Sequence, residues 1–231
     1  MFYYDYTYWL IIGPAILITL FAQLRVSSTF RRYGRIAGRR GYTGAMAAQK
    51  VLEAHGVRDV RIERVRGSLS DHYDPRTNVI RLSDDVYGST SVAALGVAAH
   101  EAGHAVQYAE DYGPIRVRNA IIPVCNFGSQ AGLVLLVIGL LFNSELLFGL
   151  GVLFFGLMVV FQLITLPVEF NASARAMETL RSAALLDEDE LPGARSVLTA
   201  AALTYVAALL MALAQLLRYL VLFSNQNRRR D

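Results

Sequence analysis

Four runs of apolar residues dominate the chain: Tyr8 to Leu24, Ile121 to Phe142, Leu146 to Val168 and Ser196 to Phe223. Each is long enough to cross the hydrocarbon core of a bilayer as a helix, which takes about 20 residues. In a chain of 231 residues they leave room for one small polar domain and exclude a large two-domain soluble enzyme. With 54% hydrophobic and 18% charged residues, the chain has too little polar surface for a soluble globule and too many apolar residues for disorder. The lone cysteine, Cys125, lies inside an apolar run and has no second thiol for an internal disulfide.

Charge gives the spans a direction. The first run is led by Phe2, Tyr3, Tyr4, Tyr6, Tyr8 and Trp9, an aromatic cluster suited to one interface. Arg25, Arg31, Arg32, Arg35, Arg39 and Arg40 follow it with no acid between them, so the positive-inside rule holds that end in the cytoplasm and the amino terminus outside. A cleaved signal peptide would want positive charge ahead of the run, where there is only Asp5. The second and third runs are separated by Asn143, Ser144 and Glu145 and read as a helical hairpin. Arg116 and Arg118 precede it and Arg175 and Arg181 follow it, placing both open ends on the cytoplasmic side. Pro123 and Pro167 are expected near its ends, where they cost least.

The fourth run follows Asp187, Glu188, Asp189, Glu190 and Pro192, a good helix start because acids favour the positive end of the helix dipole. Were it to cross, Arg228, Arg229 and Arg230 would lie outside, against the positive-inside rule. Gln215 and Arg218 leave a helix partly in the protein or at the interface as the alternative. The expected order is an anchor at 1–24, a polar cytoplasmic domain at 25–120, a transmembrane hairpin at 121–168, a cytoplasmic helix at 169–195 and a carboxyl-terminal helix with a basic tail at 196–231. The basic residues are 21 Arg and one Lys, clustered beside apolar runs. They point to a lipid bilayer as partner and not to nucleic acid.

The polar domain reads as α+β. Thr43 can cap a helix to about His55 that buries Ala45, Ala48, Val51 and Leu52. Val57 to Val65 alternates like a half-buried strand. Ser68 to Tyr73 and Asn78 to Ser83 flank the turn residues Asp74, Pro75, Arg76 and Thr77, predicting a hairpin. From about Ser89 to Glu110 the chain is Ala-rich and helical.

Inside that helix stands His100-Glu101-Ala102-Gly103-His104, the H-E-x-x-H pattern. Residues four apart share a helix face, so both imidazoles can bind one metal ion from the same side, with Glu101 near enough to act as general base. Zinc in such a site lowers the pKa of bound water to about 7 and polarises a carbonyl, so amide hydrolysis is the expected reaction. Gly103 costs about 1 kcal/mol in a helix relative to alanine, which suggests close approach of another group. A catalytic site needs a third protein ligand. His55 and His72 are available, and Cys125 is poorly placed. Glu169 is better, because the hairpin returns the chain to the same side of the membrane just before it. An acid at the interface can equally be only solvated.

The order His100, Glu101, His104, a transmembrane hairpin, then Glu169-Phe170-Asn171-Ala172-Ser173 resembles the YugP-type neutral zinc metallopeptidases of bacterial membranes. Leu69-Ser70-Asp71-His72-Tyr73-Asp74-Pro75 and Arg81-Leu82-Ser83 are similar to the same family, so the resemblance covers nearly the whole chain. It is also distantly similar to the HtpX-like membrane proteases. The resemblance implies an α-helical membrane protein with a small zincin-like cytoplasmic domain and a gluzincin site. One zinc ion would be held by His100, His104 and Glu169, with Glu101 as general base. The chain departs from the HtpX-like pattern at Ser173, where those enzymes usually carry an aspartate that orients a zinc histidine. A serine one turn from Glu169 can still reach that histidine but adds no charge.

Asp71, His72 and Tyr73 are further candidates. The Ser68–Tyr73 segment could pair with extended substrate as an edge strand, and His72 or Tyr73 could stabilise an oxyanion. The alternative is a polar hairpin in which Asp71 and Asp74 make only turn hydrogen bonds. Tyr205 and Arg218 could border the site or simply pack. The leading expectation is a membrane-anchored zinc endopeptidase in the bacterial cytoplasmic membrane, its site facing the cytoplasm and its substrates unfolded or membrane-associated polypeptides. The competing ones are an intramembrane metalloprotease and a non-catalytic zinc-binding membrane scaffold.

Overall fold

A computed structural model describes residues 6–227. Phe2, Tyr3, Tyr4, Asp5 and Arg228 to Arg230, used above to orient the ends, lie outside the described residues. The elements are α1 (Tyr6–Tyr33), α2 (Gly44–Ala54), β1 (Arg61–Val65), β2 (His72–Asp74), β3 (Val79–Ser83), α3 (Asp84–Tyr87), α4 (Val92–Ala109), α5 (Gly113–Leu141), α6 (Glu145–Ser182) and α7 (Leu191–Asn227). The chain is thus mostly helical with one small sheet. Helices α1, α5, α6 and α7 are long and apolar enough to cross a membrane, and α4 is not among them.

The chain divides into two compact units. One holds residues 6–22, 116–166 and 204–227, the apolar parts of those four helices. Its large side chains face outward: Leu17 is 68% exposed, Phe127 70% and Leu153 67%, a surface that suits lipid and not water. Its inner face closes on small residues. A Cβ at Gly151 would stand 2.7 Å from the Leu136 backbone nitrogen, and one at Gly139 would collide with the Phe148 backbone, so α5 and α6 meet backbone to backbone. Leu136, Phe148 and Val152 pack there against Leu216 and Tyr219 of α7, and Phe148 stacks on Phe223.

The other unit holds residues 23–115 and 167–203 and carries all of the sheet. Thr43 caps α2 by accepting from the Met46 N–H, and Ser91 caps α4 by accepting from the Ala94 N–H. The strands run in the order β1-β3-β2, with β1 parallel to β3 and β2 antiparallel to it. Asp74 makes the β2–β3 turn, accepting from the Arg76 N–H, the Thr77 hydroxyl and Arg81. These donors hold its carboxyl well below the usual range. The strands are shorter than their alternation suggests. Val57 and Val60 are buried in the common core and stand outside the ladder, which begins at Arg61.

The core of this unit is the face of α2 with Val51 and Leu52, the inward residues Ile80 and Leu82 of β3, and Leu95, Ala98 and Ala102 of α4. Leu180, Leu185 and Leu198 close it from the other side. The acidic stretch ahead of α7 is neutralised by the segment after α1: Arg40 Nε bonds Asp187, and Arg39 reaches Asp187, Asp189 and the buried Glu190.

Two boundaries differ from the sequence expectation. No separate helix begins at 169, since α6 continues through Pro167 to Ser182. Proline removes only one donor, and the buried positions Val168, Ala172, Ala176 and Leu180 recur every four residues, so tertiary burial outweighs the lost bond. Pro123 likewise lies inside α5, which starts at Gly113.

Gly103 explains how closely α4 meets α6. A Cβ there would lie 2.7 Å from the Ala172 carbonyl oxygen, a rigid backbone atom. Replacement by alanine gains about 1 kcal/mol of helix propensity but forces an overpacking cost of roughly 1–3 kcal/mol. Gly103→Ala should therefore lower the thermal unfolding midpoint of the detergent-solubilised chain. An unchanged or raised midpoint would contradict the close approach.

Candidate metal centre

Because α4 is helical through the motif, His100 and His104 project from one face, one turn apart, with ring centroids 4.7 Å apart. Ala102, between them, is fully buried on the opposite side, and Gly103 admits the α6 backbone. That approach sets Glu169 against the two imidazoles. Its Oε2 lies 3.4 Å from His100 Nε2 and 3.5 Å from His104 Nε2. Glu169 is 3% exposed, and its Oε2 has no hydrogen-bond partner.

On His104 the outer ring nitrogen fixes the inner one. Gln107, fully buried one turn after His104, donates through Nε2 to the Val168 carbonyl at 2.7 Å and to Asn171 Oδ1 at 2.9 Å. A carbonyl can only accept, so the Gln107 amide cannot be flipped, and its Oε1 faces His104 Nδ1 at 3.0 Å. His104 Nδ1 then carries a proton, and in the neutral ring Nε2 presents its lone pair to Glu169. On the other ring, Ser173 Oγ lies 3.0 Å from His100 Nδ1. Asn171 Oδ1 also accepts from Arg175 Nε, and Arg175 pairs with Glu110.

Three metal-ligating side chains therefore converge, with the Glu169 carboxylate and the His104 lone pair facing each other. A buried carboxylate oxygen and neutral imidazole nitrogens repel unless a cation lies between them, which is the donor set and burial that a zinc ion fits. The same frustration appears in the titration of His104: burial lowers its pKa, but Glu169 and Glu101 outweigh that and the net shift is upward.

Glu101 points to the sheet. Its Oε2 accepts from the Tyr73 N–H at 3.1 Å, so the edge strand β2 turns that donor away from β3 and onto the carboxylate. The remaining sequence candidates lie elsewhere. Asp71 accepts from the Ser83 N–H and hydroxyl, fixing the end of β3. His72 is exposed and bonds the Ser70 carbonyl through Nδ1, and His55 bonds the Val51 carbonyl. The Tyr73 hydroxyl donates to Asn78 Oδ1 at 2.6 Å, and its ring meets Tyr108 edge-on. Cys125 and Arg218 belong to the other unit, where Arg218 lies over the Tyr8 ring. Gln107 escaped the sequence reading, which named Asn171 and Arg175 without giving them a part at the centre. A glutamine on the buried side of an otherwise apolar helix, three residues past a candidate ligand, is the signal that could have found it.

The family model described as "Putative neutral zinc metallopeptidase" matches residues 8–224. The chain is 46% identical over 211 residues to "Putative membrane protease YugP" of Bacillus subtilis (strain 168), an alignment that covers 91% of this chain and 94% of that protein. No solved structure matches. The chain belongs to this family of zinc metallopeptidases.

Burial, with Tyr108, Asp59 and Asp74 nearby, pushes the Tyr73 phenol up from 10.0 to about 12. Its proton is held more tightly in the folded chain, so the associated stability is intact below pH 10 and is lost as pH rises through about 12. Phenolate absorbance of the native chain minus that of Tyr73→Phe should show one tyrosine titrating near 12. A difference curve centred near 10 would refute the burial account.

Proposed function

We propose that the chain is a membrane-anchored zinc endopeptidase of the gluzincin type with a zincin-like domain, His100, His104 and Glu169 holding one zinc ion and Glu101 acting as general base. The observation that carries this is the unpartnered, buried Glu169 Oε2 facing two imidazole nitrogens. Bound zinc would polarise the scissile carbonyl and supply a water acidic enough to ionise near neutral pH.

The chain's own residues do the rest. Glu101 is held through Oε2 by the Tyr73 N–H, which leaves Oε1 to take a proton from the attacking water and pass it to the leaving nitrogen. Gln107 keeps the His104 proton on Nδ1, and Ser173 braces His100 where the HtpX-like pattern has an aspartate. The Tyr73 N–H on the outer edge of β2 is committed to Glu101 and not to a substrate strand.

Among the described residues only three side chains converge on the centre, fewer than the four that normally close a structural zinc site, and this favours catalysis over a scaffold role. The position of the motif on α4, outside the four apolar helices, favours a site beside the membrane over one within it. The arginines after α1 and around the hairpin support a site that faces the cytoplasm at a bacterial inner membrane, where unfolded or membrane-associated polypeptides would be the substrates.

The purified chain should contain about one zinc ion and cut casein. Glu101→Gln should keep the metal and lose roughly 10²–10⁴-fold in rate, whereas Glu169→Ala should lose both. Equal cleavage by Glu101→Gln would end the assignment. Replacing Gln107 by leucine frees the His104 tautomer, and zinc affinity measured by chelator competition should fall about 10–100-fold. An unchanged affinity would mean that the glutamine only fills space.

A further inference from the structure

Behind His104 a chain of hydrogen bonds leads away from the centre and ends on an ion pair. Gln107, which faces His104 Nδ1, gives its amide protons to the Val168 carbonyl and to Asn171 Oδ1. Asn171 Oδ1 accepts a second bond, from Arg175 Nε at 2.8 Å. Arg175 Nη1 meets Glu110 Oε2 at 2.6 Å, and the guanidinium carbon stands 5.9 Å from the centre of the Tyr112 ring. All of these groups lie in the unit that holds the centre.

Helix geometry explains the middle of the chain. Side chains on a helix lean toward its amino terminus, so Arg175 lies back over Asn171, one turn earlier on α6. The outer end needs another reason. Glu110 caps the carboxyl end of α4, where the helix dipole disfavours an acid, and Arg175 is the cation that compensates it. As one of the arginines flanking the hairpin, Arg175 needs only to be basic and solvated. Its side chain is nevertheless only 17% exposed and is turned onto the contact between α4 and α6.

The donor pattern leaves one arrangement. Arginine only donates, so the Asn171 atom it touches is the oxygen. The Gln107 atom on that same oxygen is then the amide nitrogen, and the Gln107 oxygen is left for His104 Nδ1–H. The Val168 carbonyl decides which end of the Gln107 amide is which, and Arg175 holds Asn171 so that the amide plane cannot swing. We propose that Arg175 is a positioning residue for the metal centre, acting through Asn171 and Gln107 on His104, and that Glu110 holds it in place. The inference rests on the metallopeptidase reading of the centre.

The test uses the full chain in detergent, with variants that leave the proposed ligands intact. Arg175→Met keeps the length of the side chain and removes its donors. Arg175→Lys can still pair with Glu110 but carries a methylene where Nε stands, so it releases Asn171. Zinc affinity from chelator competition should fall about tenfold in both, the lower end of what a ligand's outer partners supply. Glu110→Ala should weaken it about two- to fivefold, the scale of one partly exposed ion pair. In a Gln107→Leu background the link to His104 is already cut, so adding Arg175→Met should change the affinity by less than about twofold. Zinc-loaded protein carrying isotope-labelled histidine gives a spectroscopic readout. The His104 Nδ1 proton should exchange slowly with water in the native chain and faster in both Arg175 variants.

Full zinc affinity in Arg175→Lys would mean that the ion pair merely ties α4 to α6, and it overturns the positioning role. An equal loss from Arg175→Met with and without Gln107, or proton exchange unchanged in the variants, overturns it too. A native chain that binds no zinc sinks the reading of the centre and this inference with it. A native chain that shows the expected zinc affinities but cuts no casein removes the peptidase assignment and leaves the positioning role standing.

Discussion

The close approach of α4 to α6 is the constraint on which the centre depends. Ligands on one helix can supply two imidazoles but not a converging carboxylate, so a second element must come near enough for a short side chain to reach. Gly103 makes this possible by leaving its face bare against the Ala172 backbone. Once the helices meet at that distance, Glu169 on the preceding turn of α6 and Ser173 just after Ala172 fall on either side of the contact. Gln107, one turn along α4, comes within reach of the Val168 carbonyl. Every polar interaction around the centre follows from that spacing.

The electrostatics then divide into strong and weak. On the exposed faces of the helices and strands, pairs such as Arg64 with Asp84 or Lys50 with Glu53 are solvated and hold little energy. Glu169 is different because water cannot compensate it. Leaving such a carboxylate without a partner costs several kcal/mol, enough to bias the buried centre toward holding a cation. A marginal fold keeps a group like that only where another species meets its demand.

Much of this was legible in the chain. The apolar runs, the Thr43 cap, the turn at Asp74 and the helix carrying His100 and His104 were all signalled by local pattern, and local pattern is what a sequence displays directly. Convergence of Glu169 with the histidines was legible only because two crossings return the chain to the same side. The glycine hinted at a near neighbour without naming it. What stayed hidden depends on distant partners. Val57 to Val65 alternates like one strand, yet only Arg61–Val65 joins the ladder, and α6 passes through Pro167 because buried residues beyond it reward continuation. The Gln107 chain links residues more than sixty positions apart, and no spacing rule reaches that far.

The two interior letters of H-E-x-x-H are usually treated as blanks. Here they are occupied space: Ala102 is sealed in the core and Gly103 lies flat against a neighbouring main chain. A redesign that kept the three named residues but varied the two between them would preserve the formula and lose the geometry. In this scaffold the spelling of the motif is five letters long.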